Sequence, residues 1–276
     1  MHAYAQTNVQ LFNQLRSEGY SKEDRERVRE AYEFAMRLFT GMFLPSGKSF
    51  IDHLVGTASV LASLRVRVEL IIAGLIHAAY LHGNFGGVRK GISDATRRQV
   101  QSAVGPDVEK YVVRYELMPW DPSIFPRLHD NIDNLDPLDR DVLLMRLAND
   151  FEHNLDLGSL YRDNWYRYIK QYGSAMISMA EKLGFPSLSA EMAQVFKDIV
   201  STQLPLEPRI ATSEPAAYLV VPKSYHEPFW VVYWPKARRF GADLLNPLRQ
   251  VCRRGSTLIR GLFRAGSSSS KPKVSA

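Results

Sequence analysis

The chain has 276 residues, 45% of them hydrophobic, and a single cysteine, Cys252. That is enough apolar material for one domain of about 200 residues plus an appendage, and one thiol excludes a disulfide framework and a cysteine-based zinc site, so a reducing, cytoplasmic setting is expected. The formal charge of +6 is uneven: residues 236–276 hold ten Lys or Arg against Asp243 alone, a balance of +9, so residues 1–235 carry 6 minus 9, or −3.

The N-terminal segment has no basic stretch followed by an apolar run, so no export signal is expected, and no later stretch reaches the roughly 18 uninterrupted apolar residues of a membrane span. Val9 to Leu15 read as a short amphipathic helix ending at Gly19. Ser21 then caps a helix with Glu23 and Asp24 in its first turn, running to about Phe39. Residues 41–48, with Pro45 and Gly47, form a loop.

Two apolar helices follow. On the first, Phe50, Ile51, Leu54, Val55, Ala58, Leu61 and Ala62 recur at helical spacing, which predicts a core-facing stripe with His53 at its flank. The second, from Leu70 to Leu81, is apolar nearly all round, with His77 near its C-terminal end. Gly86 and Gly87 follow no strand and precede no Gly-Lys-Ser/Thr, so they read as a turn and not as a phosphate cradle. Ser93 or Asp94 caps the next helix, and Gly105 divides residues 95–104 from 106–117. Trp120, Pro122 and Pro126 break the chain. The dipeptide His129, Asp130 has no partner at ligand spacing and sits beside Asp133, Asp136, Asp139 and Asp141, so a solvated acidic face is the better reading.

From Asp139 to Leu157 a helix turns Val142, Leu143, Met145, Leu147 and Phe151 inward. Another, from Tyr161 to Leu183, carries Trp165, Ile169, Tyr172, Met176, Met179 and Leu183 on one side, and a last scaffold helix spans Leu188 to Val200. Between Pro205 and Pro235 six prolines fall within 31 residues, so residues 201–235 read as a Pro-rich linker or strap. From Leu244 to Phe263 apolar positions alternate with Arg249, Arg253, Arg254, Arg260 and Arg264. This is a basic amphipathic helix suited to an anionic membrane surface or a protein groove. Nucleic acid is the poorer partner, because the arginines border one continuous apolar stripe. The final residues are disordered by composition.

The run AYEFAMRLFTGMFLPSGKSFIDHL from Ala31, then AGLIHAAYLHG, then LLMRLANDFEHNLDL, resembles the metal-dependent HD hydrolase domain of the bifunctional guanosine tetraphosphate (ppGpp) synthetase/hydrolases. Ala31, Tyr32, Phe34 and Ala35 fit its opening helix, Ser46 and Gly47 its Ser-Gly turn, and His53 its first metal histidine. The strings HLVGTASVL and AGLIHAAYLHGNFG are more similar still to an uncharacterised bacterial family of HD-like domains, which implies no activity. The resemblance implies an all-α, HD-domain-like bundle over residues 8–200.

By the same resemblance, His53 and His77 fall on metal positions. The aspartate of the His-Asp dipeptide is replaced by Ala78, and the last ligand falls on Asn149 or on Asp150, depending on whether Arg146, Leu147 and Ala148 or His153 and Asn154 are held in register. The family's water-serving Glu-Asp pair falls on Leu81 and His82, and its nucleotide-contacting Arg-Lys pair on Leu44 and Pro45. The sequence therefore predicts a catalytically degenerate HD-like domain that senses a small ligand or serves as a scaffold, with Tyr80 and His82 as candidate pocket residues. Any divalent metal, Mn or Zn, would be weakly held. The alternative is a metal-dependent phosphohydrolase acting on a nucleotide or other phosphoester. The tail places the protein in the cytoplasm or peripherally at the inner membrane face.

Overall fold

The structure is a computed structural model that describes residues 3–44, 48–86, 90–155 and 163–202. It is all-α, and the β pairing among the described residues is an isolated antiparallel bridge between Phe43 and Ser49. The expected linker and tail, residues 203–276 with the five tail arginines, lie outside the described residues.

Local sequence dictates most helix boundaries. Helix α1 (Asn8–Ser17) starts at a capping box in which Thr7 accepts from the Gln10 N–H, and it is followed by Gly19 at φ 90. Helix α2 (Lys22–Phe39) starts at Ser21, whose side chain accepts from Asp24 N while Asp24 reaches back to the cap; such reciprocal caps satisfy two of the orphan donors of a first turn. Helix α6 (Asp94–Val104) is capped by Ser93. It is separated from α7 (Pro106–Leu117) by Gly105 at φ 87, a left-handed conformation that favours glycine.

Three expectations need correction. Helix α3 (Phe50–Ser63) does not present a stripe with His53 at its flank: every residue from His53 to Ala62 is buried. It packs against α1, α2, α4 (Val68–Leu75) and the later helix Pro137–Glu152, so it has no solvent face, and its polar groups are answered internally. Ser59 accepts from the Ala5 N–H at 2.8 Å, and the Thr57 hydroxyl donates to the His53 carbonyl at 3.0 Å.

The second apolar helix is also not continuous. Helix α4 stops at Leu75 and α5 (Ala79–His82) begins after a break at residues 76–78. There Ile76 N–H reaches back only to Ala73 O, and Ala79 N–H to Ile76 O, the i to i−3 pattern of a tightened turn. Lastly, Pro126 does not break the chain: it lies in the first turn of α8 (Phe125–Asn131), where a missing N–H costs little.

Helix α9 (Pro137–Glu152), capped by Asp136, buries Val142, Leu143, Met145, Leu147 and Phe151 as predicted. Helices α10 (Asp163–Lys182) and α11 (Pro186–Ser201) form an antiparallel hairpin through Gly184 at φ 94. Ile169, Met176, Met179 and Leu183 are in the core, as expected; the Trp165 side chain lies outside the described residues. Among the described residues, no helix is long and apolar enough to cross a membrane.

Candidate functional site

The packing of α3 against α4 and α9 brings the predicted residues into one centre. The rings of His53 and His77 are 5.4 Å apart, centroid to centroid, close enough to face one small site. His53 sits one turn into α3 and is 1% exposed; His77 sits in the break between α4 and α5 and is 4% exposed. That break is what frees His77: its Nδ1 pairs with the Gly74 carbonyl at 2.7 Å, a fixed contact of the kind that orients an imidazole. Asn149, buried on α9, raises the proton affinity of the His53 ring.

Asp150 faces a different set of partners. Its Oδ1 accepts from Asn149 Nδ2 at 3.1 Å, and its Oδ2 accepts from Trp120 Nε1 and the Tyr168 hydroxyl, both at 3.0 Å. Asp150 thus ties α9 to α10 and to the segment after α7, with Asn149 beside it in the same network. Burial pushes the Asp150 carboxyl up from its usual range, with the three donors opposing.

Three residues of the centre were not singled out from the sequence. Glu152, fully buried at the end of α9, holds His53 Nδ1 through Oε2 and the Lys48 ammonium through Oε1. The next residue, His153, stacks its ring on His53 at 4.2 Å with planes 18° apart. Donor atoms of His53, Glu152 and His153 all lie within 4.8 Å of one another. Two signals for Glu152 were present in the sequence: it lies one helical turn from Asn149, and α3 carries a glycine, Gly56, against which the Glu152 carboxylate rests.

Burial dominates the titration of the centre. It pushes the His53 imidazole down to about 3, helped by the Lys48 ammonium and opposed by the Asn149 side chain. His77 is likewise pushed to about 3, by burial and then by the His53 ring, and His153 is lowered well below the ordinary value by the same causes in the same order. The imidazoles are therefore neutral at pH 7, the state in which they accept metals and hydrogen bonds. Burial pushes the Glu152 carboxyl up, and Lys48 works against it.

The other expected residues divide. His82 packs on Phe50 with centroids 5.4 Å apart and reaches the edge of the centre. Tyr80 is not a pocket residue: it is fully buried and its hydroxyl donates to Glu109 at 2.7 Å, between α5 and α7. Leu81 is 56% exposed, and Leu44 is buried. His129 and Asp130 sit at the surface of α8, where the His129 ring meets Ser178 of α10 at 2.9 Å, away from the centre as expected.

An HD-type metal needs carboxylates to offset its charge. Here residue 78 is alanine, residue 149 an amide, and all four carboxylate oxygens of Asp150 and Glu152 already have a partner in the protein. Behind His77, Tyr115 lies 4.9 Å away with the Arg146 guanidinium 3.6 Å over its ring. Glu152 and Asp150 are thus matched by Lys48 and Arg146, a formal balance of zero, and this donor set does not fit the family's metal.

Residues 38–119 match a family described as a domain of unknown function (DUF6817). The matched stretch runs from the end of α2 through α7 and contains Lys48, His53 and His77, whereas Asn149, Glu152 and His153 lie beyond it. No curated protein matches the chain.

Proposed function

We propose that this chain is a catalytically degenerate HD-like domain that acts as a small-ligand-sensing or scaffolding protein and not as a hydrolase. The observation that carries this reading is that every carboxylate oxygen in the centre already has a partner. Hydrolysis of a phosphoester at such a site needs a metal-activated water and a group to position it or take its proton. Ala78 and Leu81 supply neither, Asn149 is an amide, Asp150 is held by Asn149, Trp120 and Tyr168, and Glu152 by Lys48 and His53. The imidazoles and the amide of the centre reach solvent through Lys48, His82 and His153, each partly exposed. Convergent polar groups on an apolar wall suit a small polar ligand.

The test is ligand-dependent stabilisation. Melting of the full chain is followed with ppGpp, GTP, GDP and inorganic phosphate, and again in His77→Ala. A rise in melting temperature that depends on His77, with the nucleotide recovered intact, supports the reading. A ligand that is consumed contradicts it.

A second reading, a phosphohydrolase acting on a nucleotide or another phosphoester, draws on the convergence of donor atoms from His53, Glu152 and His153. In either case Mn or Zn would be held weakly, because no uncommitted acid balances its charge. A peripheral place at an anionic membrane, through the arginines of residues 244–263, rests on the sequence pattern alone.

A further inference from the structure

We propose that the Lys48 ammonium is the resident cation of this centre, standing where a metalloprotein would place a divalent ion, and that His53, Glu152 and His153 form a latent metal site which opens only when Lys48 is removed. The idea holds whether or not the centre binds a small ligand.

The donor set argues for a cation. Two imidazoles and one carboxylate, with donor atoms mutually within 4.8 Å, are a familiar grouping for a divalent transition metal. Yet Glu152 Oε1 is bonded to Lys48 Nζ, and Glu152 Oε2 to His53. A carboxylate 0% exposed, paired with an ammonium 11% exposed, is the arrangement a bound cation would otherwise create. One buried carboxylate can neutralise one of these charges but not both, so the ammonium and a metal ion exclude each other.

The backbone holds Lys48 at its post. Leu44 N–H donates to the Lys48 carbonyl at 2.8 Å, the Phe43 and Ser49 backbones bridge, and Phe50 N–H donates to Met42 O at 2.9 Å. Lys48 therefore enters the centre from the chain just before α3, two residues ahead of the helix that carries His53. A tethered ammonium of this kind needs no metal supply and balances Glu152 permanently, which explains how a centre without Asp at 78 and 149 keeps its buried acid.

The experiment is Zn(II) binding by equilibrium dialysis with metal analysis, on the full chain, for wild type, Lys48→Met, Lys48→Gln and Lys48→Met/His153→Ala. Wild type is expected to take up Zn(II) weakly and below one ion per chain. Lys48→Met should bind one Zn(II) per chain, tighter by on the order of 100-fold, because an unpaired buried carboxylate regains a cation. Lys48→Gln should gain binding to a smaller degree, and the double variant should lose it. If Lys48→Met unfolds on its own, Zn(II) should restore its helical circular dichroism. Stoichiometric Zn(II) in wild type with an affinity unchanged by Lys48→Met would overturn the proposal. So would folded variants that gain no metal, or unfolded ones that Zn(II) does not rescue.

Discussion

Glu152 and Lys48 meet across 104 positions of sequence, and Glu152 has no exposed surface at the contact. A pair of this kind contributes little by forming, because desolvation offsets attraction, but removing one partner strands a charge in the core. Glu152→Ala should therefore lower the unfolding free energy by about 3 kcal/mol or more. Lys48→Met/Glu152→Gln should be less destabilised than the two single changes summed. Urea denaturation of wild type, Glu152→Ala, Lys48→Met, Glu152→Gln and the double variant measures both quantities, and strict additivity would show that the pair does not couple.

Gly56 gives a prediction of opposite sign from helix propensity. In a helix interior Gly→Ala ordinarily stabilises by about 1 kcal/mol. Here an added Cβ would lie 2.7 Å from Glu152 Cγ, and Glu152 is fixed from both sides by His53 and Lys48. Gly56→Ala should destabilise by about 1–3 kcal/mol, the usual range for overpacking. Thermal melting decides it: a raised melting temperature would mean that Glu152 can move aside.

The histidines set an acid limit on stability. His53 and His77 are both held at about 3 against an ordinary 6.5, and His153 is lowered too. With the folded pKa depressed, the unfolded chain binds protons that the folded chain does not. Stability is then complete above pH 6.5 and is lost progressively as pH falls toward the folded values. Asp150 and Glu152, raised by burial, act in the opposite sense as pH falls, so the loss is carried by the imidazoles. Denaturation midpoints should fall between pH 7 and pH 5. A flat profile would contradict three imidazoles held below their ordinary value.

Much of the helix plan was legible because its signals are local. Ser21, Ser93, Gly105 and the inward positions of α9 each act within one turn. The break at residues 76–78 was not legible: a segment that is apolar on every side has no periodicity to lose, and only the contact of His77 with Gly74 reveals the tightened turn. His53 and His77 were found through motif resemblance. Glu152 and Lys48 escaped because each reads as a surface charge in its own neighbourhood, and the two cues for Glu152, its turn from Asn149 and Gly56, carry weight only once α3 and α9 are packed together. Tyr80 was misplaced for the reverse reason, its partner Glu109 being on a helix whose packing the sequence did not give.

The tail prediction rests on charge pattern. Five arginines flank the apolar positions of residues 244–263, and each is worth on the order of 1 kcal/mol near an anionic leaflet. Full-length protein should sediment with anionic liposomes, and a chain ending at Pro235 should not. Equal partitioning of the two would remove the membrane from the account.

Recognition without hydrolysis is checked by incubating the full chain with ppGpp and Mn(II) and following release of pyrophosphate. No turnover above the protein-free blank is expected, because by the resemblance Ala78 replaces a metal aspartate, Leu81 falls in the water-serving pair and Leu44 and Pro45 in the nucleotide-contacting pair, and Lys48 holds Glu152. Turnover well above that blank, abolished by His53→Ala, would contradict it.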